Sequence, residues 1–195
     1  MLTAVRHNLS RLTDFKGRET RGQFWPWAGC VFVGVFVVWS VAVGSVIGGT
    51  ISKMAAWAEA HPEQATVTTV GGSTSIVIQG SHPEFAPDFS TLFWDLGGMI
   101  VLIVVLLAAA VARRLHDCGR SGLWGLAPLP FLAFGLTVMS IMMGHPGTAA
   151  DGPDMRLFFA IGLNNIVYLG VLLTLIIQLS RAGSREANRF GPPVG

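Results

Sequence analysis

The stretch Arg113–Gly122 reads Arg-Arg-Leu-His-Asp-Cys-Gly-Arg-Ser-Gly and sets three arginines, a histidine and an aspartate between two long apolar runs. If a helix continues through it, Arg113, His116, Asp117 and Arg120 stand at i, i+3, i+4 and i+7, on one face. Asp117 then pairs with Arg113 or Arg114, and His116 looks into the same pocket. Gly119 equally permits a helix stop. In that case Arg120-Ser121-Gly122 opens the next helix, where free N–H groups, the Ser121 hydroxyl and a guanidinium make an anion site. Three chemistries fit: a self-satisfied ion-pair knot fixing a tight turn, binding of a phosphate-bearing headgroup or an acidic partner segment, and acid–base catalysis by His116 with Asp117. Catalysis lacks partners, since no Ser or Cys nucleophile motif, second carboxylate or phosphate-cradling loop stands nearby.

The elements around this stretch are written in lipid-soluble residues. Apolar residues make up 51% of the 195 and charged ones 12%, about half the roughly 25% usual in soluble domains. Four windows, about 24–49, 92–112, 123–143 and 157–179, are long enough to cross a hydrocarbon core about 30 Å thick. None contains Lys or Arg, and the only acid is Asp95. The fold expected is an all-α membrane protein with four transmembrane helices in a single domain, residues 1–195, with an outer loop over 50–91.

Basic residues orient the spans. Arg6, Arg11, Lys16, Arg18 and Arg21 precede span one, Arg113, Arg114 and Arg120 lie between spans two and three, and Arg181, Arg185 and Arg189 follow span four. Only Lys53 and Arg156 of the 13 basic residues fall on the opposite side. Both termini are therefore predicted to be cytoplasmic, and the basic face is one expected beside anionic lipid. Topogenesis accounts for the charge, so no nucleic-acid partner is expected. Cys30 and Cys118 both sit at the cytoplasmic side, where thiols stay reduced. The first apolar run is longer than the 7–15 residues of a signal-peptide core, so span one is expected to stay as an anchor.

Taken in order, Leu2, Val5, Leu9 and Leu12 have the spacing of a short interfacial amphipathic helix over residues 1–13. Thr20 and Gln23 have capping-box spacing ahead of span one, and Phe24, Trp25 and Trp27 are expected at headgroup level. Gly44 and Gly48 form a GxxxG spacing, a hint of close helix approach. In the outer loop Ser52–Ala60 predicts a short helix. Thr66–Val70, Gly71-Gly72 and Ser73–Ile78 predict a small β-hairpin. His61-Pro62-Glu63, His82-Pro83-Glu84 and His145-Pro146 offer imidazoles and carboxylates. Punctuation by proline is the plainer account, and no metal or cofactor is expected. Ala108, Ala109, Ala110 and Ala112 make a small-residue face. Pro128 and Pro130 should break or kink the start of span three, and Asp154 is placed to cap span four. Asn164, Asn165 and Gln178 are read as amides that bond across helices.

Three blocks carry a resemblance. Phe15-x-Gly-Arg18-x-x-Arg21-x-x-Phe-Trp25, Arg113-Arg-Leu-His-Asp117-x-Gly-Arg-Ser-Gly122-x-Trp124 and Asn188-Arg-Phe-Gly-Pro192 resemble, in order, the bacterial inner-membrane family called domain of unknown function 805. The resemblance implies a four-helix inner-membrane protein with its signature residues on the cytoplasmic side, and brings no reaction, substrate or cofactor. Against that family the outer segment is long. Carried onto this chain, Arg18, Arg21, Arg113, Arg114, His116, Asp117, Arg120, Ser121, Asn188 and Arg189 are the candidate binding residues. The N-terminal segment, central turn and C-terminal segment are expected to fold together into a basic polar pocket. The leading expectation is a non-enzymatic accessory or scaffold subunit, binding anionic lipid headgroups or a partner protein, alone, as a homo-oligomer or within a larger membrane complex. A small transporter or channel is the alternative, and a lipid-headgroup enzyme using His116 and Asp117 is the second.

Overall fold

A computed structural model describes residues 1–80, 82–85, 89–144 and 155–194. The element order is α1 (Leu2–Leu9), α2 (Arg21–Ala60), β1 (Ala65–Val70), β2 (Ser73–Ile78), a 3₁₀ turn (Pro83–Phe85), α3 (Phe89–Asp117), a second 3₁₀ turn (Gly122–Leu126), α4 (Leu129–Gly144) and α5 (Met155–Ser180). Four of the helical segments are long and apolar enough to cross a membrane. Their large apolar side chains point outward: Phe36, Val41, Val101, Phe159 and Ile166 are all more than half exposed. The largest fully buried side chains, in contrast, are Arg113, Arg114, Leu115, Glu19 and Asn8. A protein whose apolar faces look outward and whose charges are packed inside has a solvent of hydrocarbon around its spans.

The described residues form two compact units, Met1–Phe32 with Val101–Gly195, and Val33–Ile100. In the first, Phe24, Trp27, Ala28 and Val31 are buried along one stripe of α2, at i, i+3, i+4 and i+7. The Trp27 indole N–H donates to the Leu106 carbonyl at 3.2 Å. Phe24 and Trp27 are thus packed inside, and of the three residues expected in an aromatic belt only Trp25, 39% exposed, faces outward. The indole is withdrawn because α3 offers its N–H an acceptor. The alanine face of α3 is used as expected: Ala109, Ala110 and Ala112 are buried. The returning 3₁₀ turn lies so close that a Cβ at Gly122 would stand 2.8 Å from that of Ala112, and one at Gly125 2.7 Å from Val111 Cγ1. Span three therefore starts as a 3₁₀ turn and becomes α-helix only at Leu129, beside the two prolines. α4 packs along α5, where Asn164 Nδ2 donates to the Phe131 carbonyl at 3.0 Å. Asn165 is exposed.

In the second unit α2 runs unbroken to Ala60, so the separate helix expected over Ser52–Ala60 is its continuation. Glycine lowers helix propensity by only about 1 kcal/mol per residue, and Gly48-Gly49 do not stop the backbone ladder. A Cβ at Gly44 or Gly48 would meet nothing within 4 Å, so the GxxxG spacing makes no close contact among the described residues. β1 and β2 pair antiparallel from Ala65 opposite Ile78 to Val70 opposite Ser73, joined by Gly71 and Gly72 at φ of 60° and 84°. Two adjacent left-handed residues are what a two-residue hairpin loop requires. Among the described residues no group of three His, Cys, Asp or Glu could hold a metal ion. His145 and Pro146, and Asp154, the expected cap of span four, lie outside the described residues.

His82 Nδ1 and Glu84 Oε1 are 2.8 Å apart. The hydrogen bond that the His82 ring donates to the Glu84 carboxylate raises the His82 pKa above its ordinary 6.5 and lowers that of Glu84. A raised histidine value means that the pairing favours the folded loop below the unfolded-state pKa, and the contribution fades as pH rises through the folded one. An NMR titration should place the His82 midpoint above 6.5 and show Glu84→Gln bringing it down. A midpoint unmoved by the substitution would refute the pairing.

Candidate functional site: a buried arginine–carboxylate knot

α3 ends at Asp117 in a Schellman motif. Gly119 takes φ 71°, its N–H donates to the His116 carbonyl and the Arg120 N–H to that of Leu115, both at 2.9 Å. The helix therefore stops, and the reading that put Arg120 on one face with Arg113, His116 and Asp117 is corrected. Arg120 is exposed and its guanidinium lies over the Trp124 ring, 5.8 Å from the centroid. Ser121 caps the next turn, accepting from the Leu123 N–H at 3.3 Å.

Arg113 is 0% exposed, yet each of its three nitrogens donates a hydrogen bond, four in all. Nε and Nη2 meet Glu19 Oε2 at 2.8 Å. Nη2 also donates to Asn8 Oδ1 at 2.6 Å, and Nη1 to the carbonyls of Arg11 and Asp14 at 2.9 and 2.5 Å. Asn8 is held in place because its Nδ2 donates to Glu19 Oε1 at 2.8 Å. Buried charges persist only where pairing and hydrogen bonds offset their desolvation, and this pair has both. At the edge, Arg11 stands 2.6 Å from Asp14, and its guanidinium holds the Asp14 carboxyl below its usual pKa.

Asp117 joins the second half. Its Oδ1 is 2.9 Å from Arg18 Nη2 and its Oδ2 2.5 Å from Arg114 Nη1. Arg18 continues into the C-terminal segment, donating to the carbonyls of Ser184, Glu186 and Gly191 at 2.5, 3.0 and 3.4 Å. Arg114 donates from Nε to the Leu179 carbonyl at 2.9 Å and from Nη2 to that of Arg181. Arg21 reaches the Ser180 carbonyl at 3.4 Å. The last carbonyls of α5 have no partners within their own helix and carry the negative end of its dipole. Arginines from two other segments supply what that helix end lacks.

The Asn188-Arg-Phe-Gly run is a tight loop clamped on this knot. Asn188 Oδ1 accepts from the Phe190 N–H at 2.9 Å, and its Nδ2 donates to the His116 carbonyl at 3.0 Å. The Phe190 ring stacks on His116, centroids 3.8 Å apart and planes 7° from parallel. His116 Nδ1 lies 3.2 Å from the Gly17 carbonyl, so Nδ1 is the protonated nitrogen there. A Cβ at Gly183 would collide with the Asp117 carboxylate, and only glycine permits that approach.

Of the ten candidate residues, Arg18, Arg113, Arg114, His116, Asp117 and Asn188 are brought together, with Arg113 joined to the rest through its neighbours. Arg21, Arg120 and Arg189 stand exposed around them, and Ser121 serves the turn. Glu19, Asn8 and Ser184 were not among the candidates. The signals were slight: an acid inside Arg18-Glu-Thr-Arg21, and an asparagine on the polar side of an amphipathic pattern. Beside the knot opens a cleft of about 360 Å³ with Thr20, Arg21, Asp117, Ser184, Arg185 and Val194 among its walls. Its two cations, Arg21 and Arg185, are exposed and in no ion pair among the described residues.

The family described as protein of unknown function (DUF805) matches residues 12–192. This chain belongs to that family. The match spans from Leu12 to the end of the Asn188–Pro192 loop, so apart from Asn8 of α1 and Arg11 just after it, the residues that build the knot lie inside the DUF805 region. No curated protein and no solved structure matches the chain. The family and the four apolar helices together make it a multi-pass membrane protein.

Proposed function

We propose that the protein is a non-enzymatic accessory or scaffold subunit of a bacterial inner membrane, termini in the cytoplasm, that holds anionic lipid headgroups on its basic face. The observation that carries this reading is the division of labour among its arginines. Arg18, Arg113 and Arg114 are consumed by Glu19, Asp117 and carbonyls. Arg21, Arg120, Arg181, Arg185 and Arg189 are exposed, and none of them is in an ion pair among the described residues. The knot is thus the scaffold, and the surrounding rim is what meets phosphate. α1 supports the placement: Leu2 and Leu9 are 86% and 51% exposed while Ala4 and Asn8 are buried. Its polar side is anchored to Glu19 and Arg113, leaving leucines for the acyl boundary.

Catalysis by His116 draws little support, because one face of its ring is covered by Phe190 and its Nδ1 is committed to Gly17. Transport draws little either, since the Asn164 amide is spent on Phe131. The test is native mass spectrometry of the full chain with phosphatidylglycerol or phosphatidylcholine. Each basic residue near an anionic surface contributes about 1 kcal/mol. Replacing Arg21, Arg181, Arg185 and Arg189 together by Gln should lower phosphatidylglycerol retention at least about tenfold, with the melting temperature nearly unchanged. Undiminished retention would sink the reading.

A further inference from the structure

Among the described residues, Gln178 Oε1 is the only buried side-chain nitrogen or oxygen without a hydrogen-bond partner. Gln178 is 6% exposed and lies in the last turn of α5. An unsatisfied buried acceptor forfeits its hydration with nothing in exchange, so native structures rarely keep one without a use. Gln178 borders a groove of about 360 Å³ between the 3₁₀ turn after the knot and α5, within the size range of ligand sites. Trp124, Ala127, Val167, Val171 and Leu175 give it apolar walls. The Thr174 hydroxyl is already committed to the Gly170 carbonyl at 2.8 Å, and Gln178 Oε1 is the buried acceptor left without a partner.

From Val167 to Gln178 the helix rises about 16 Å, roughly half the thickness of a hydrocarbon core. The groove therefore has a polar end in the final turn of a membrane-spanning helix and an apolar body running inward from it. Arg120, its guanidinium 5.8 Å from the centroid of the groove-lining Trp124 ring, brings a cation for phosphate to the groove. We infer that this groove seats a membrane phospholipid carrying an N–H or O–H donor in its polar end, the donor on Gln178 Oε1 and an acyl chain along Val171, Gly170 and Val167. The phase around the spans supplies molecules that combine such a donor with a long apolar body. A Cβ at Gly170 would meet nothing within 4 Å, so a side chain placed there fills the groove without disturbing the helix.

The test compares phosphatidylethanolamine with phosphatidylcholine of the same acyl chains, which differ in that methylation removes the ammonium N–H donors. In native mass spectrometry of the full chain, phosphatidylethanolamine should be retained about three- to tenfold better, the scale of one net hydrogen bond. Gln178→Leu should erase that preference and raise the melting temperature in lipid-free detergent, since it removes an unsatisfied acceptor. Gly170→Leu should lower retention of both lipids. The rim variant with four arginines replaced should keep the ethanolamine preference, so failure of this site and failure of the basic rim are separate results. Equal retention of the two lipids by the unaltered chain, or an unchanged preference in Gln178→Leu, would overturn the inference. So would a homodimer that dissociates on Gln178→Leu, which would give the groove to a second copy.

Discussion

Asp117→Asn is expected to lower the melting temperature of the detergent-solubilised protein by roughly 6–20 °C, with lost expression at the upper end. The two carboxylate oxygens each hold a different guanidinium, Arg18 on Oδ1 and Arg114 on Oδ2. An amide of the same shape must turn its NH₂ toward one of them, whichever way it faces, so donor meets donor and a buried cation loses its counter-charge. Removing one partner of a buried pair costs about 3–5 kcal/mol. A chain of this length loses about 2–4 °C per kcal/mol. Asp14→Asn is the control, because its carboxylate sits in a half-exposed pair with Arg11 and exposed pairs contribute at most about 1 kcal/mol. Equal melting shifts for the two substitutions would refute the burial argument.

The second large effect is a coupling. Glu19→Met and Arg113→Met should each destabilise by about 3–5 kcal/mol, since each leaves the other charge buried in an almost water-free site. The double substitution should cost less than their sum by at least about 2 kcal/mol, because it removes both charges together. Thermal melts of the four proteins measure the cycle. Strict additivity would show that Arg113 is held by the Arg11, Asp14 and Asn8 acceptors alone. By the same reasoning, substitutions of Arg113 and Arg114 act on folding, whereas Arg120 is exposed and outside the knot.

Much of this arrangement was legible in the residues. Span positions followed from hydropathy because crossing a bilayer is a length condition, and the stop at Gly119 was one of two endings that the sequence allowed. The meeting of the three motif blocks was also anticipated. Saturation was not. Arg18, Arg113 and Arg114 read as available charge because a count of basic residues cannot tell a buried guanidinium from an exposed one, and that depends on which carbonyls the fold delivers. Asn8 illustrates the difficulty from the other side. It lies opposite Leu2, Val5 and Leu9, where a polar residue is ordinarily assigned to water, and here that face is turned against Glu19. Phe24 and Trp27 were misplaced for a related reason: an aromatic next to a span is at home either in the headgroups or against a neighbouring helix. The carbonyl of Leu106 decided for Trp27.

The reach of Arg18 has a consequence for the order of assembly. Its acceptors include residues up to 173 positions away, at Gly191, and Arg114 waits for Leu179 and Arg181. When the first two spans have been made, Asp117 can find Arg18, but the carbonyls from 179 to 191 have yet to be synthesised. Half of the guanidinium donors of Arg18 and Arg114 then remain in water, and the helix pair stays loosely tied at that end. The Asn188–Gly191 loop is therefore the last partner that Arg18 receives, and the ties of α3 to the end of α5 form only once residues 179–181 have been made.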